Sequence, residues 1–223
     1  MADDEGRRAR LRRETVTSIK AAAWTQVREL GAAALSLRAV ARSVGLSSPG
    51  LYRYYASRDD LLTDLVADAY DDLARALEQA RDQAGAALRD RLRAAMVAYR
   101  DWAVDHPAEW SLIFGTPVPA YTAPVEGRTT AAARRFGAVL LTLLHEATSP
   151  AGDVPAPGTT PDPPDFPDDL YRQAARLWAR LHGVLALGLH GHFFPAVRSP
   201  EQVRALYLAE VDDALRDLLG PGR

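Results

Sequence analysis

Cysteine is absent from the 223-residue chain, which excludes disulfide staples and thiolate metal sites. Lysine is almost absent as well, Lys20 being the single one, so positive charge rests on arginine. The abundance of arginine, alanine and proline points to a GC-rich genome more than to special chemistry. No apolar run is long and uncharged enough to cross a membrane or to act as a secretion leader, which leads to the expectation of a cytoplasmic protein without membrane contact. Histidine is scarce: His106, His145, His182, His190 and His192. No two of them stand at i, i+4, and His190 and His192 would point about 200° apart on a helix. The pattern therefore predicts no catalytic centre, no cofactor and no metal site. The one metal alternative is a His190-x-His192 pair beyond a frayed helix end.

What the chain does have is a segregated charge. Residues 6–58 carry eleven Lys and Arg against Glu14 and Glu29, about +9, which leaves the remainder of a chain of total charge −2 near −11. A basic head on an acidic body fits a nucleic-acid-binding module joined to a part that faces a small molecule or another protein.

The head contains its own explanation. Residues 35–62 read LSLRAVARSVGLSSPGLYRYYASRDDLL, two short helices meeting at a glycine turn, the pattern of a helix-turn-helix DNA reader. Ser36 can cap the first helix, and Leu37, Val40, Ala41 and Val44 follow at the i, i+3, i+4, i+7 spacing of one buried stripe. Gly45 ends that helix, where a left-handed residue is needed. Ser47 or Ser48 can cap the second, with Pro49 in its first turn.

These residues resemble the N-terminal domain of the tetracycline-repressor (TetR) family of one-component transcriptional regulators nearly position by position over residues 10–65. The resemblance implies an all-α fold: a three-helix helix-turn-helix domain over 1–60, then a helical-bundle ligand-binding and dimerisation domain over 61–223. Downstream, YRDWAVDHPAEWSLIFG (99–115) and LWARLHGVLALGL (177–189) resemble the regulatory domain of one subgroup, with Trp178 and the His182–Gly183 pair the most suggestive residues.

Several side chains are then candidates for DNA. Arg38, two positions past the Ser36 cap, can offer its fork to guanine O6 and N7 or bind phosphate. Ser48, Pro49 and Gly50 form a small-residue tip that the resemblance places against the groove floor, and Ser36 and Ser47 at the helix starts are further candidates for DNA contact. Tyr52 and Tyr54 can each donate a phenolic hydrogen bond to phosphate, while Tyr55 fills the core. Arg53 can reach a base or a phosphate, and the resemblance places Arg58 on the DNA backbone. Arg7, Arg8, Arg10, Arg12 and Arg13 either form a solvated tail or reach phosphates and the minor groove, with residues 1–8 expected to be disordered.

For the remainder, periodicity predicts helices over 11–30, with Ile19, Ala22, Ala23, Val27 and Leu30 inward, then over 57–81, 86–105, 107–115, 126–147, 168–194 and 200–218. Ser57 and Asp60 can form a capping box for the second of these. This helix would be the covalent lever between head and body. Seven of the fifteen prolines fall in residues 149–168, which reads as a flexible loop. Gly183 and Gly188 permit the close helix contact that a four-helix dimer interface needs, and the resemblance implies that interface. For a ligand cavity the candidates are Tyr99, Trp102, Trp110, Phe114, Phe136, Trp178 and His182. They favour an apolar or aromatic small molecule, with His182, His145, Tyr121 or Arg180 as polar anchors. The combined expectation is a homodimeric repressor on a palindromic double-stranded DNA operator, released by a small-molecule effector. The alternative is an architectural DNA-binding or protein-interaction module without an effector.

Overall fold

The computed structural model describes residues 2–148, 166–193, 195, 197 and 199–220, the side chains of 2–5 excepted. Among these the chain is all-helical, with no strand: α1 (Ala2–Leu30), a 3-10 turn (Ala32–Ala34), α2 (Leu37–Ser43), α3 (Ser48–Tyr52), α4 (Arg58–Gln83), α5 (Leu88–Asp105), α6 (Pro107–Phe114), α7 (Arg128–Thr148), α8 (Asp168–Leu189) and α9 (Pro200–Leu219). Most of the proline-rich stretch, residues 149–165, and Phe194 lie outside the described residues. No described helix is long and apolar enough to cross a membrane.

Contacts gather the chain into two compact units, each discontinuous in sequence. The first comprises Met1–Ala69 with Pro107–Ala131, the second Tyr70–His106 with Ala132–Arg223. The chain therefore passes between units three times, and the α4 lever is one of several covalent connections.

In the first unit α1 begins well before the periodic apolar pattern does. Residues 2–8, expected to be disordered, are its first turns. Acidic residues at 3–5 complement the positive end of the helix dipole, and alanine, arginine and glutamate propagate it. Ile19, Ala23 and Val27 are buried at four-residue spacing against Leu37, Val40 and Ala41 of α2, Leu51 of α3 and Leu61, Leu62 and Leu65 of α4. Leu30 is the exception to the expected stripe, 64% exposed. Gly31, at φ +79°, turns the chain before that last residue can face inward, and Leu35 is buried beyond the turn instead. Ser57 and Asp60 form the reciprocal cap at the start of α4, each backbone N–H donating to the other's side chain at 3.0 Å. Residues Pro107–Ala131 belong here because Leu112, Val118 and Tyr121 pack on this core and Arg28 pairs with Glu109.

In the second unit α8 stops at Leu189 rather than running to 194. The His190 amide still donates to Ala186 O, and Gly191, at φ +69°, then takes the chain out of helical geometry. Ser199 and Gln202 form a complete capping box for α9. Arg180 ties α8 to α9 by donating to Glu210 at 2.5 Å and Asp217 at 3.0 Å, so its guanidinium is committed to this staple. Gly188 lets the same two helices approach: a Cβ there would lie 2.4 Å from Val203 Cγ1. By contrast nothing lies within 4 Å of a Cβ built on Gly183. Gly188→Ala is thus expected to lower stability. The steric term, about 1–3 kcal/mol, exceeds the gain of up to about 1 kcal/mol from removing a helical glycine. Thermal melts of the double variant with Val203→Ala should recover the loss, and a stabilised single variant would contradict the contact.

Candidate functional site

The α2–α3 pair is built from local signals that the structure realises. Ser36 Oγ accepts from the Ala39 amide at 3.4 Å, and its own amide donates to Gln26 Oε1 at 3.1 Å, which anchors the start of α2 to α1. Gly45 takes φ +70° at the turn. Ser47 is the cap of α3, accepting from the Gly50 amide at 3.1 Å, and Pro49 sits in the first turn. A Cβ at Gly50 would come within 3.1 Å of the Ser47 hydroxyl oxygen, so the absent side chain keeps the cap intact as well as the tip small. On the outer side, Arg38, Ser47, Pro49, Tyr52 and Arg53 are exposed, with Ser48 and Gly50 half-buried beside them. Arg42, one turn beyond Arg38 and also exposed, joins them. Sequence reasoning missed it, although the i, i+4 spacing from Arg38 carries the signal. The side chains of Arg38, Arg42 and Arg53 have no hydrogen-bond or ion-pair partner among the described residues, so three guanidinium groups face outward uncompensated.

Behind this surface the remaining candidates take supporting positions. The Tyr54 ring is capped by Arg12, whose guanidinium carbon lies 5.2 Å from the ring centroid. Tyr55 is buried and donates its hydroxyl to Asp64 Oδ2 at 2.8 Å. Burial and the Asp64 charge both push this phenol far up, so it stays protonated. Lys20 donates to Asp68 at 2.8 Å and lies 3.1 Å from Asp64, and Arg128 donates to both carboxylates at 2.5 Å. Burial acts to raise the Asp64 carboxyl, but hydrogen bonds from Tyr55, Arg128 and Lys20 outweigh it and hold it below the usual range. Arg58 is directed inward: it donates to the carbonyls of Leu35 (3.2 Å), Ala32 (2.9 Å) and Ala33 (3.1 Å). These bonds fix the 3-10 turn that leads into α2, and contact with phosphate would require giving them up.

The aromatic candidates of the body do not form a single set. In the second unit, Tyr99 is buried with its hydroxyl 2.7 Å from His182 Nδ1, and the Trp178 ring lies 4.7 Å from that of His182. Phe136 sits 6.1 Å from both Tyr99 and Tyr70. Tyr99, Phe136, Trp178 and His182 are thus neighbours. Trp102 is engaged elsewhere, donating to Asp72 at 2.9 Å and stacking on His106 at 5.2 Å. Trp110 and Phe114, 6.0 Å apart, belong to the first unit, as does Tyr121, which bonds Thr63 at 3.2 Å. Of the other anchors, His145 packs on Phe166 at 5.4 Å. The His190 and His192 rings stack at 5.8 Å past the end of α8. Among the described residues there is no group of three His, Cys, Asp or Glu arranged to hold a metal ion.

Residues 19–65, the span of this exposed helix pair and its support, match the family described as bacterial regulatory proteins, tetR family, and residues 92–214 match the tetracyclin repressor-like C-terminal domain. The chain belongs to the tetracycline-repressor family. It is 36% identical over 203 residues to the HTH-type transcriptional regulator Rv1816 of Mycobacterium tuberculosis, covering 84% of this chain and 86% of that protein. The regulator Mb1846 of Mycobacterium bovis matches to the same extent. Among solved structures, the regulatory protein SCO4313 is 37% identical with a TM-score of 0.74, over 93% of this chain and 98% of its own. A Rhodococcus sp. RHA1 protein of unknown function is 25% identical with a TM-score of 0.73, over 92% and 95%.

As a TetR-family member the protein is a DNA-binding transcriptional regulator and not an enzyme, in line with the sequence reading. Arg38 and Arg42 of α2 and Arg53, the residue that closes α3, are exposed positive groups on the helix-turn-helix of a DNA-binding family. In the body of this TetR-family chain, burial pulls the His182 imidazole below its ordinary 6.5. The unfolded chain therefore binds the proton first, and His182 stabilises the fold fully above about pH 6.5 and progressively less as pH falls below it. Urea denaturation between pH 7.5 and 5 is expected to show that decline, and His182→Gln, whose amide can still bond the Tyr99 hydroxyl in either direction, should flatten it. An unchanged slope in the variant would remove His182 as its source.

Proposed function

We propose that this regulator is a cytoplasmic homodimeric repressor. Two copies of the residues 1–60 module bind a palindromic operator, and the 61–223 portion dimerises and answers to a small apolar or aromatic effector. The observation that carries the DNA reading is the uncompensated, exposed trio Arg38, Arg42 and Arg53 around a tip of small residues at 47–50. Arg38 reads a guanine edge, while Arg42 and Arg53 supply phosphate contacts that give salt-dependent affinity. Tyr52, half-exposed, donates to phosphate, whereas Ser36, Tyr54 and Arg58 hold the reader in shape. One module spans only a few base pairs, so affinity against a genome of competing sites calls for two. Support for dimerisation through α8 and α9 comes from the apolar groups that α8 leaves outward, Trp178 at 37% and Leu187 at 42% exposure, and from the open space over Gly183. In this reading the effector favours a dimer whose modules are spaced wrongly for the operator, and DNA is released by population shift.

Selection of bound sequences from a random DNA pool with the purified chain tests the proposal. The expected result is a motif with two-fold symmetry and half-sites about one helical turn apart. Salt-sensitive binding with no enriched motif would move the function to an architectural DNA-binding module without an effector.

A further inference from the structure

A cavity of about 450 Å³ in the second unit sits where the ends of α5 and α8 meet the start of α9. None of the aromatic candidates discussed above lines it. Its wall is chiefly apolar, formed by Val104 of α5, Leu185 and Leu189 of α8, Val197 ahead of α9, and Pro200 and Val203 at the beginning of α9. Gly188 belongs to the wall as well, and its missing Cβ is what lets Val203 close that side. Three polar side chains interrupt this surface. Tyr207 already donates to Met96 O at 2.8 Å, and Ser199 is the cap of α9. Arg100 is different: it lines the cavity although it is only 9% exposed.

A guanidinium held among apolar side chains is costly unless its charge and its donors are matched. Asp101 accepts from Arg100 Nη1 at 2.5 Å, but that carboxylate is 46% exposed, where solvent weakens its field. Among the described residues no second acceptor engages Arg100, so a largely buried cation keeps donors for a guest. We infer that this cavity binds a small organic monoanion with an apolar body, its charged head on Arg100 and its body along Leu185, Leu189 and Val203. A neutral guest of the same shape would fill the space and forgo the charge-assisted hydrogen bond. The inference rests on the effector reading above and specifies its site and chemistry.

The test titrates the full-length protein with two fluorescent probes, 1-anilinonaphthalene-8-sulfonate and the neutral N-phenyl-1-naphthylamine, which differ by the sulfonate. The anionic probe is expected to bind at least about tenfold more tightly, the effect of one hydrogen bond between charged groups. Arg100→Met should abolish that preference and leave the neutral probe's affinity unchanged, while Arg100→Lys should retain part of it. Val104→Trp, at an exposed position on the cavity wall, should weaken both probes. Equal affinity of the two probes for the native protein overturns the inference. So does a preference that survives Arg100→Met, or binding that Val104→Trp leaves unaltered. Operator release is scored separately. Anion-selective, Arg100-dependent binding that never releases the operator keeps the site and sinks the effector reading. Release by some other molecule, with no Arg100-dependent selectivity, sinks the site and keeps the effector reading.

Discussion

Arg38→Ala is expected to weaken binding to the selected operator by about 1–3 kcal/mol, roughly 5- to 150-fold, and to relax base preference at one position in each half-site. The argument is geometric. Arg38 lies in the first turn of α2, exposed, and nothing among the described residues competes for its fork. A bidentate guanidinium on guanine O6 and N7 satisfies two donors at once, and alanine leaves the base edge unread. Arg53→Ala provides the comparison: as a phosphate contact it should weaken all sequences alike and reduce the salt slope by about one counterion. Fluorescence anisotropy on operators permuted one base at a time distinguishes the two. Uniform loss across all of them for Arg38→Ala would assign it to the backbone instead.

Leu51→Ala should be the most damaging single change in the reader. Leu51 is 1% exposed and is the buried residue of α3, a helix of five residues with no other apolar anchor in the core. Truncating such a leucine costs about 2–5 kcal/mol, a large share of the 5–15 kcal/mol that holds a typical domain together. The caps at Ser36 and Ser47 cannot replace it, because each contributes only about 1 kcal/mol. The variant should lose operator binding along with the thermal transition of its first unit, while Leu51→Met, which conserves volume, should cost less than about 1.5 kcal/mol. A melting profile unaltered by Leu51→Ala would mean that α3 is held by something other than this core.

The reader was legible in the sequence because its determinants are local. The Ser36 and Ser47 caps, the Gly45 turn, Pro49 in the first turn and the Leu37, Val40, Ala41 stripe each act within one helical turn of where they stand. The reciprocal Ser57–Asp60 cap was legible for the same reason. Long-range partners were not. The family resemblance assigns Arg58 to the DNA backbone, yet it spends its donors on carbonyls more than twenty positions earlier, at Ala32, Ala33 and Leu35. The seven aromatic and histidine candidates look like one set when counted along the chain, but folding makes neighbours of Tyr99, Phe136, Trp178 and His182 and sends Trp110 and Phe114 to the other unit.

By itself the sequence determined the all-helical class, the helix-turn-helix reader and its basic surface, since spacing and capping state which face of a helix is apolar and where the helix begins. Only the tertiary structure decided what each face meets. It exposed Leu30 and placed α6 with the reader's core. It brought Gly188 against Val203, and buried Arg100 on the wall of a cavity. Periodicity carries a direction around one helix axis, whereas a partner is fixed by the packing of several axes at once, and no stretch of one strand of sequence encodes that alone.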